Sequence, residues 1–276
     1  MSMIENAYRN LSFRDYGVRI QYALLRGRGS LAETTTFMNM GYWKDDPRTL
    51  DEAATALVTL VANTAALAPG QRVLDVGCGF GDQDILWIRR FAPSRIDAVN
   101  ITRSQLEATA AKVDAEGLGD RIKLWAATAT ALPFDDGTFD RVLCVEAAHH
   151  FNTRERFLRE AFRVLKPGAR LVVADILPNP DVAVDGLVRM QMNRANLYPR
   201  DQYVAKLAQL GFTDIEVRSI RDDVYVPFAA HLRRRIADPT VSRKMNPLLR
   251  WFARRHVRAV GNFESLDFVI VNAVRP

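Results

Sequence analysis

Two regimes of hydrophobic patterning divide this chain. Between residues 72 and 176, short apolar and β-branched runs recur at Arg72 to Val76, Arg95 to Ile101, Arg121 to Ala127, Phe139 to Val145 and Arg170 to Ile176, separated by longer stretches with apolar residues at helical spacing. Short apolar runs without period-two alternation are strands buried on both faces, and their alternation with helices predicts βαβ units around a parallel sheet. A helix follows the glycine run Gly77 to Gly81 and continues through Phe91. Thr102-Arg-Ser-Gln105 has the spacing of a capping box, in which hydroxyl and amide side chains satisfy each other's backbone N–H groups, and it opens a helix to about Glu116. The helix from Thr153 to Leu165 gathers Phe157, Leu158, Ala161, Phe162 and Leu165 on one face and is expected to stop at Lys166-Pro167-Gly168.

Outside that region the pattern is less regular. Residues 1–70 read as helical, with a loop around Met40-Gly-Tyr-Trp43 and an amphipathic helix from about Leu50. Asp201 to Leu210 reads as a helix, and Thr213 to Ile220 and Ser265 to Val274 as the last two strands. The insertion of about 40 residues between those strands is too long for a hairpin loop.

Composition narrows the class. A chain of 276 residues buries about three quarters of its unfolded surface and needs no covalent staple. Its two cysteines, Cys78 and Cys144, lie 66 positions apart with no CxxC pattern, which disfavours a zinc site or disulfide scaffold and fits a reducing cytoplasm. The N-terminus lacks the apolar core of a signal peptide, and no run of 18 uncharged apolar residues occurs, so a soluble, cytoplasmic protein is expected. The net charge of +6 is unevenly placed: Arg218 to Arg258 holds 11 Lys and Arg against 3 Asp, a local +8 that leaves the remainder at −2.

Gly77, Gly79 and Gly81 follow a strand and precede a helix, where a backbone that approaches a ligand closely tolerates no Cβ. A nucleotide-type cofactor is implied, but the G-x-G-x-G spacing is not that of dinucleotide binders. Asp75, Asp82 and Asp84 surround the run, and three carboxylates repel a pyrophosphate. S-adenosylmethionine, with an ammonium, a carboxylate and a sulfonium, suits acidic surroundings better.

Three ordered motifs, Val73-Leu-Asp-Val-Gly-Cys-Gly-Phe-Gly81, Ala131-Leu-Pro-Phe-Asp-Asp-Gly-Thr-Phe-Asp140 and Arg163-Val-Leu-Lys-Pro-Gly168, resemble the class I S-adenosylmethionine-dependent methyltransferases. The Gly-Tyr-Trp loop and the Glu-Ala-x-His stretch are similar to the branch acting on sugars, polyketides and glycolipids. The resemblance implies that Gly77, Gly79 and Gly81 pass under the methionine and ribose, with Asp75 near the ammonium. It implies that Tyr42 closes over the cofactor and Ile101 packs on the adenine. Cys78, Gln105, Ala129 and Val145 complete the expected contacts. Two positions depart from the family: Asn100 stands where an acid usually grips the ribose, and Thr128 where an acid usually reads the adenine amine. Amino-methylating DNA enzymes of this fold carry an Asp/Asn-Pro-Pro-aromatic motif after the fourth strand. This chain has Glu146-Ala-Ala-His-His150 there, so nucleic acid is not the expected substrate.

A hydroxyl acceptor benefits from a base. His149 and His150 follow the fourth strand, at the edge where ligands of open α/β sheets bind, and Asp175 ends the fifth. A histidine beside a carboxylate has its tautomer fixed and its imidazolium stabilised, and similar positions serve as the base pair in sugar O-methyltransferases of the resembling branch. His149 with Asp175 is the first expectation and His150 the second; a structural histidine pair is the alternative. No metal is expected. The basic segment, with Arg233 to Arg235 and an amphipathic stretch from Asn246 to Arg258, falls in the expected acceptor lid and implies an anionic or carrier-bound acceptor, a solvated helix being the plain alternative.

The expected architecture is therefore α/β, a Rossmann-like seven-stranded, mostly parallel sheet with a helical cap. It forms a single domain with an N-terminal helical cap (1–70), a cofactor-binding core (71–176), and an acceptor lid with the last strands (177–276). The expected reaction is methyl transfer from S-adenosylmethionine to a hydroxyl of a small natural-product acceptor. C- or N-methylation, cyclisation on the same fold, and cofactor binding without catalysis are the alternatives, and a homodimer is left open.

Overall fold

The computed structural model describes residues 32–179, 181–183, 192–242 and 264–276. These residues form one seven-stranded sheet: β1 (Arg72–Val76), β2 (Arg95–Asn100), β3 (Ile122–Ala126), β4 (Phe139–Val145), β5 (Leu165–Pro178), β6 (Thr213–Ser219) and β7 (Leu266–Val274). Their spatial order is β3-β2-β1-β4-β5-β7-β6. β7 runs antiparallel to both neighbours and the remaining pairs are parallel. The expected α/β class and mostly parallel sheet are what the chain forms.

Alternate residues of each strand feed two cores. Val73, Ile96, Leu143 and Val172 pack with α1 (Leu50–Thr64), α2 (Asp82–Phe91) and α3 (Arg103–Ala115) on one face. Leu74, Val99, Val142 and Leu171 pack with α4 (Arg154–Val164) and α5 (Arg200–Gln209) on the other. Each such buried side chain contributes about 1.5–3 kcal/mol relative to exposure. α1 starts where the Thr49 hydroxyl accepts the Glu52 N–H at 3.2 Å, and it buries Leu50, Ala53, Ala54, Leu57, Val58 and Val61 at helical spacing. α6 (Arg221–Ala237) fills part of the expected insertion and lays Val224 and Tyr225 on the first core.

The structure departs from three expectations. The loop around Met40-Gly-Tyr-Trp43 is longer than expected and takes in all of residues 32–49, where helix was expected on either side. Asp51 holds it, its carboxylate accepting the N–H groups of Glu33, Thr34 and Thr35 at 2.7, 3.1 and 2.7 Å; residues 1–31 lie outside the described ones. Lys166-Pro167-Gly168 does not separate helix from strand. β5 begins at Leu165 and absorbs the motif as an irregularity in its pairing with β4. Gly168 supplies the left-handed turn (φ 74°), and its N–H donates to the Arg275 carbonyl at 2.7 Å. The capping box does not form: Thr102 makes no side-chain cap, because the Gln105 amide turns inward to accept from Asn100 Nδ2 at 2.8 Å.

Gly81 precedes α2 with φ 73°, and a Cβ there would fall 2.3 Å from Thr109 Cγ2 on α3. Gly81→Ala is therefore expected to lose at least about 2 kcal/mol, lowering the unfolding temperature by roughly 4–8 °C. Thermal unfolding checks this, and an unchanged midpoint contradicts the packing described.

Candidate functional site

The carboxyl ends of β1 and β4 meet where the strand order reverses, the place at which open parallel sheets bind ligands. A cavity of about 420 Å³ opens there, a size suited to a cofactor. The glycine run forms its floor. At Gly77 (φ 91°) a Cβ would sit 2.5 Å from Ala147 Cβ, and at Gly79 (φ 59°) it would meet Met38 Cε at 3.0 Å. The loop of residues 36–39 forms the roof, so the glycines let floor and roof come close.

Most of the expected cofactor contacts share this cavity. Gly77, Cys78, Gly79 and Val145 line its central part, and Asn100, Ile101, Gln105, Thr128 and Ala129 line the end toward β2 and β3. Asn100 is already engaged: its amide donates to Gly79 O at 3.3 Å and to Gln105 Oε1 at 2.8 Å, and its oxygen accepts the Ile101 N–H at 2.9 Å. The Thr128 hydroxyl shares a 3.0 Å hydrogen bond with Thr130. Tyr42 lies outside the lining. Its N–H donates to Ala53 O at 2.8 Å, and burial and then the nearby charge of Asp223 on α6 raise its pKa. Gly81 and Asp75 are likewise behind the floor.

The three carboxylates beside the glycines behave differently from one another. Asp82 is ion-paired with Lys112 Nζ at 2.7 Å, and it holds the roof by accepting the Thr36 N–H at 3.3 Å. Asp75 and Asp84 are fully buried, and each shifts the titration of the other. Burial raises Asp75 to about 7, although Gln83 Nε2 donates to it at 3.0 Å. Burial and the Asp75 charge push Asp84 well above the usual carboxylate range. Asp75 Oδ1 and both Asp84 carboxyl oxygens have no hydrogen-bond partner among the described residues. A buried acid short of partners fits the ammonium of S-adenosylmethionine. Three full charges do not stand there against a pyrophosphate, since Asp82 is paired with Lys112 and burial raises the pKa of both Asp75 and Asp84.

At the other end, His150 lines the cavity beside Glu146. His149 lies behind it, buried, with the two rings 3.9 Å apart. His149 Nδ1 is 3.5 Å from Asp175 Oδ1. Burial works to raise the Asp175 pKa, but Arg154 and then His149 outweigh it and hold the carboxyl below its ordinary value. Nothing in the sequence pattern points to Arg154. It starts α4, is fully buried, and brings Nε within 2.7 Å of Asp175 Oδ2. Its guanidinium carbon lies 4.7 and 5.0 Å from the ring centres of Tyr198 and Tyr203, and it donates to the carbonyls of Asn196 and Ile176 at 2.8 and 3.0 Å. Burial without a partner would cost several kcal/mol for either charge. The roof residues Phe37, Met38 and Asn39 were also not anticipated, since an irregular loop carries no periodic signal.

The basic segment is only partly described. Arg233 and Arg234 are exposed on α6, and Arg235 pairs with Glu33 at 2.8 Å; Asn246 to Arg258 lies outside the described residues. No helix among the described residues is long and apolar enough to cross a membrane, and no cluster of metal ligands occurs among them.

Because the Asp75–Asp84 pair binds protons in the folded state that the unfolded chain releases near pH 4, its contribution to stability falls as pH rises toward 7. Asp84→Asn, which supplies an amide donor to Asp75, is expected to flatten the decline of the unfolding temperature between pH 5 and 7.5. Parallel profiles for the two proteins contradict the upward shift of this pair.

The methyltransferase domain family matches residues 74–173. Erythromycin 3''-O-methyltransferase of Saccharopolyspora erythraea is 33% identical over 274 residues, covering 94% of this chain and 90% of that protein. The methyltransferase GfsG of Streptomyces halstedii is 34% identical over 197 residues, 68% of this chain and 70% of that protein. Among solved structures, the cyclase SpnF superposes with a TM-score of 0.75 at 24% identity, covering 95% of this chain and 96% of that one. Geranyl diphosphate methyltransferase, solved with S-adenosylmethionine, gives 0.68 at 18% identity over 83% and 88%. The glycine-floored cavity, the acidic pair beneath it and these matches agree: the chain belongs to the class I S-adenosylmethionine-dependent methyltransferases.

Proposed function

We propose that this enzyme methylates a hydroxyl of a small natural-product acceptor, with His149 as base and Asp175 as its partner. The observation that carries the proposal is the 3.5 Å approach of His149 Nδ1 to Asp175 Oδ1 next to the cavity wall. The bound cofactor supplies a methyl group activated by its sulfonium. Asp175, kept anionic by Arg154, favours the tautomer with the proton on Nδ1 and stabilises the imidazolium. Nε2 would then take the proton of the acceptor hydroxyl, and alignment of that oxygen with the methyl group supplies much of the remaining acceleration. His150, packed against the His149 ring and facing the cavity, positions it.

The O-methylation named for the relative from S. erythraea supports a hydroxyl acceptor. So does the name of 27-O-demethylrifamycin SV methyltransferase of Amycolatopsis mediterranei, 36% identical over 149 residues, 53% of each chain. In this reading the segment from 177 onward serves as the acceptor lid of a single domain, and the exposed Arg233 and Arg234 meet an acceptor or carrier bearing negative charge.

A panel of desmethyl macrolide and ansamycin acceptors, read by product mass, is expected to give a product heavier by one CH₂. His149→Ala is expected to lose about 10²- to 10⁴-fold in kcat with cofactor affinity unchanged, and His150→Ala less. Near wild-type turnover in His149→Ala contradicts the base, and an isomerised product without added mass contradicts methyl transfer.

A further inference from the structure

We propose that Glu146 is a specificity-determining residue through which the site tells the methyl donor from its demethylated product. The two ligands share the ammonium, carboxylate, ribose and adenine; they differ in one methyl group and in the positive charge on sulfur. A protein group that separates them electrostatically must be able to present an anion inside the cavity, and Glu146 is an acid that lines it.

Glu146 follows the last residue of β4 and lines the cavity. Its neighbour Ala147 lies against Gly77, where a Cβ would be only 2.5 Å from the alanine Cβ, so the chain at Glu146 leaves β4 beside the glycine run. Its backbone is held at φ 49°, a conformation L-residues with side chains rarely adopt. One carboxyl oxygen accepts the Met40 N–H at 2.7 Å, which fixes the side chain against the loop covering the cavity. The groups facing it are Asp175 from β5, Tyr225 from α6, His150 from the cavity wall and the Met40 N–H. Burial raises its pKa to about 8, with the Asp175 charge adding to the rise. A cation placed beside it favours the ionised form, whereas a neutral thioether does not. The site therefore gains attraction for the donor and gives it up once the methyl group has left, which promotes release of the product.

Calorimetric affinities of the full chain for S-adenosylmethionine and S-adenosylhomocysteine, measured without acceptor, test this. Glu146→Gln preserves the acceptor for the Met40 N–H and removes the charge. It is expected to lower the donor-to-product affinity ratio by roughly tenfold, mainly by weakening the donor. In the unaltered protein the ratio is expected to rise between pH 6 and 9, and in Glu146→Gln that rise shrinks. Equal weakening of both ligands, which marks a purely structural role, overturns the proposal, as does a ratio independent of pH in the unaltered protein. The inference rests on the cofactor alone, so its failure leaves the hydroxyl acceptor and the His149 base standing.

Discussion

Three carboxyl groups are buried at the carboxyl edge of this sheet and a fourth, Glu146, is partly buried in the cavity wall, and one buried cation answers them among the described residues. The buried acids are Asp75, Asp84 and Asp175, and the buried cation is Arg154. Burying an ionised carboxylate without a counter-charge is prohibitive, so each acid must be paired or protonated. Asp175 takes the first route, locked to an arginine that two tyrosine rings enclose. Asp75, Asp84 and Glu146 take the second, with pKa values driven upward by burial. The edge is thus divided into an anionic half beside His149 and a half that holds protons ready to leave when a cation arrives.

The topology creates this division. Because strand order reverses between β1 and β4, the loops after those strands diverge and leave a cavity, and the three glycines allow the first loop to press against both Ala147 and Thr109. The roof is tied to several elements: to α1 through Asp51, to α2 through Asp82, to β4 through Glu146, and to α6 through the Trp43 N–H and the Asp223 carbonyl at 2.8 Å. Charge and closure are therefore coupled, since two of those tethers are carboxylates at the cavity itself.

Much of this was legible in the sequence, for a physical reason. Strands buried on both faces must be continuous apolar runs, and a ligand-contacting turn must lack Cβ atoms, so β1 to β5 and the glycine floor declare themselves. What stayed hidden depends on side-chain direction. Thr102 and Gln105 have capping-box spacing whichever way the glutamine turns, and here Asn100 draws it inward. Arg154, at the start of a polar-looking helix, reads as solvated because nothing local marks its partner on β5. Asp82 and Asp84 looked alike, but one faces Lys112 and the other is sealed beside Asp75. Lys166-Pro167-Gly168 has the composition of a break, and β5 accommodates it through an irregular pairing with β4.

A partly protonated acidic site takes up a cationic methyl donor by surrendering protons. Calorimetry of S-adenosylmethionine binding at pH 7, repeated in buffers of different ionisation enthalpy, counts those protons directly. With Asp75 near 7 and Glu146 near 8 before binding, a net release approaching one proton per cofactor is expected. Tight binding with no release, or with proton uptake, contradicts the account.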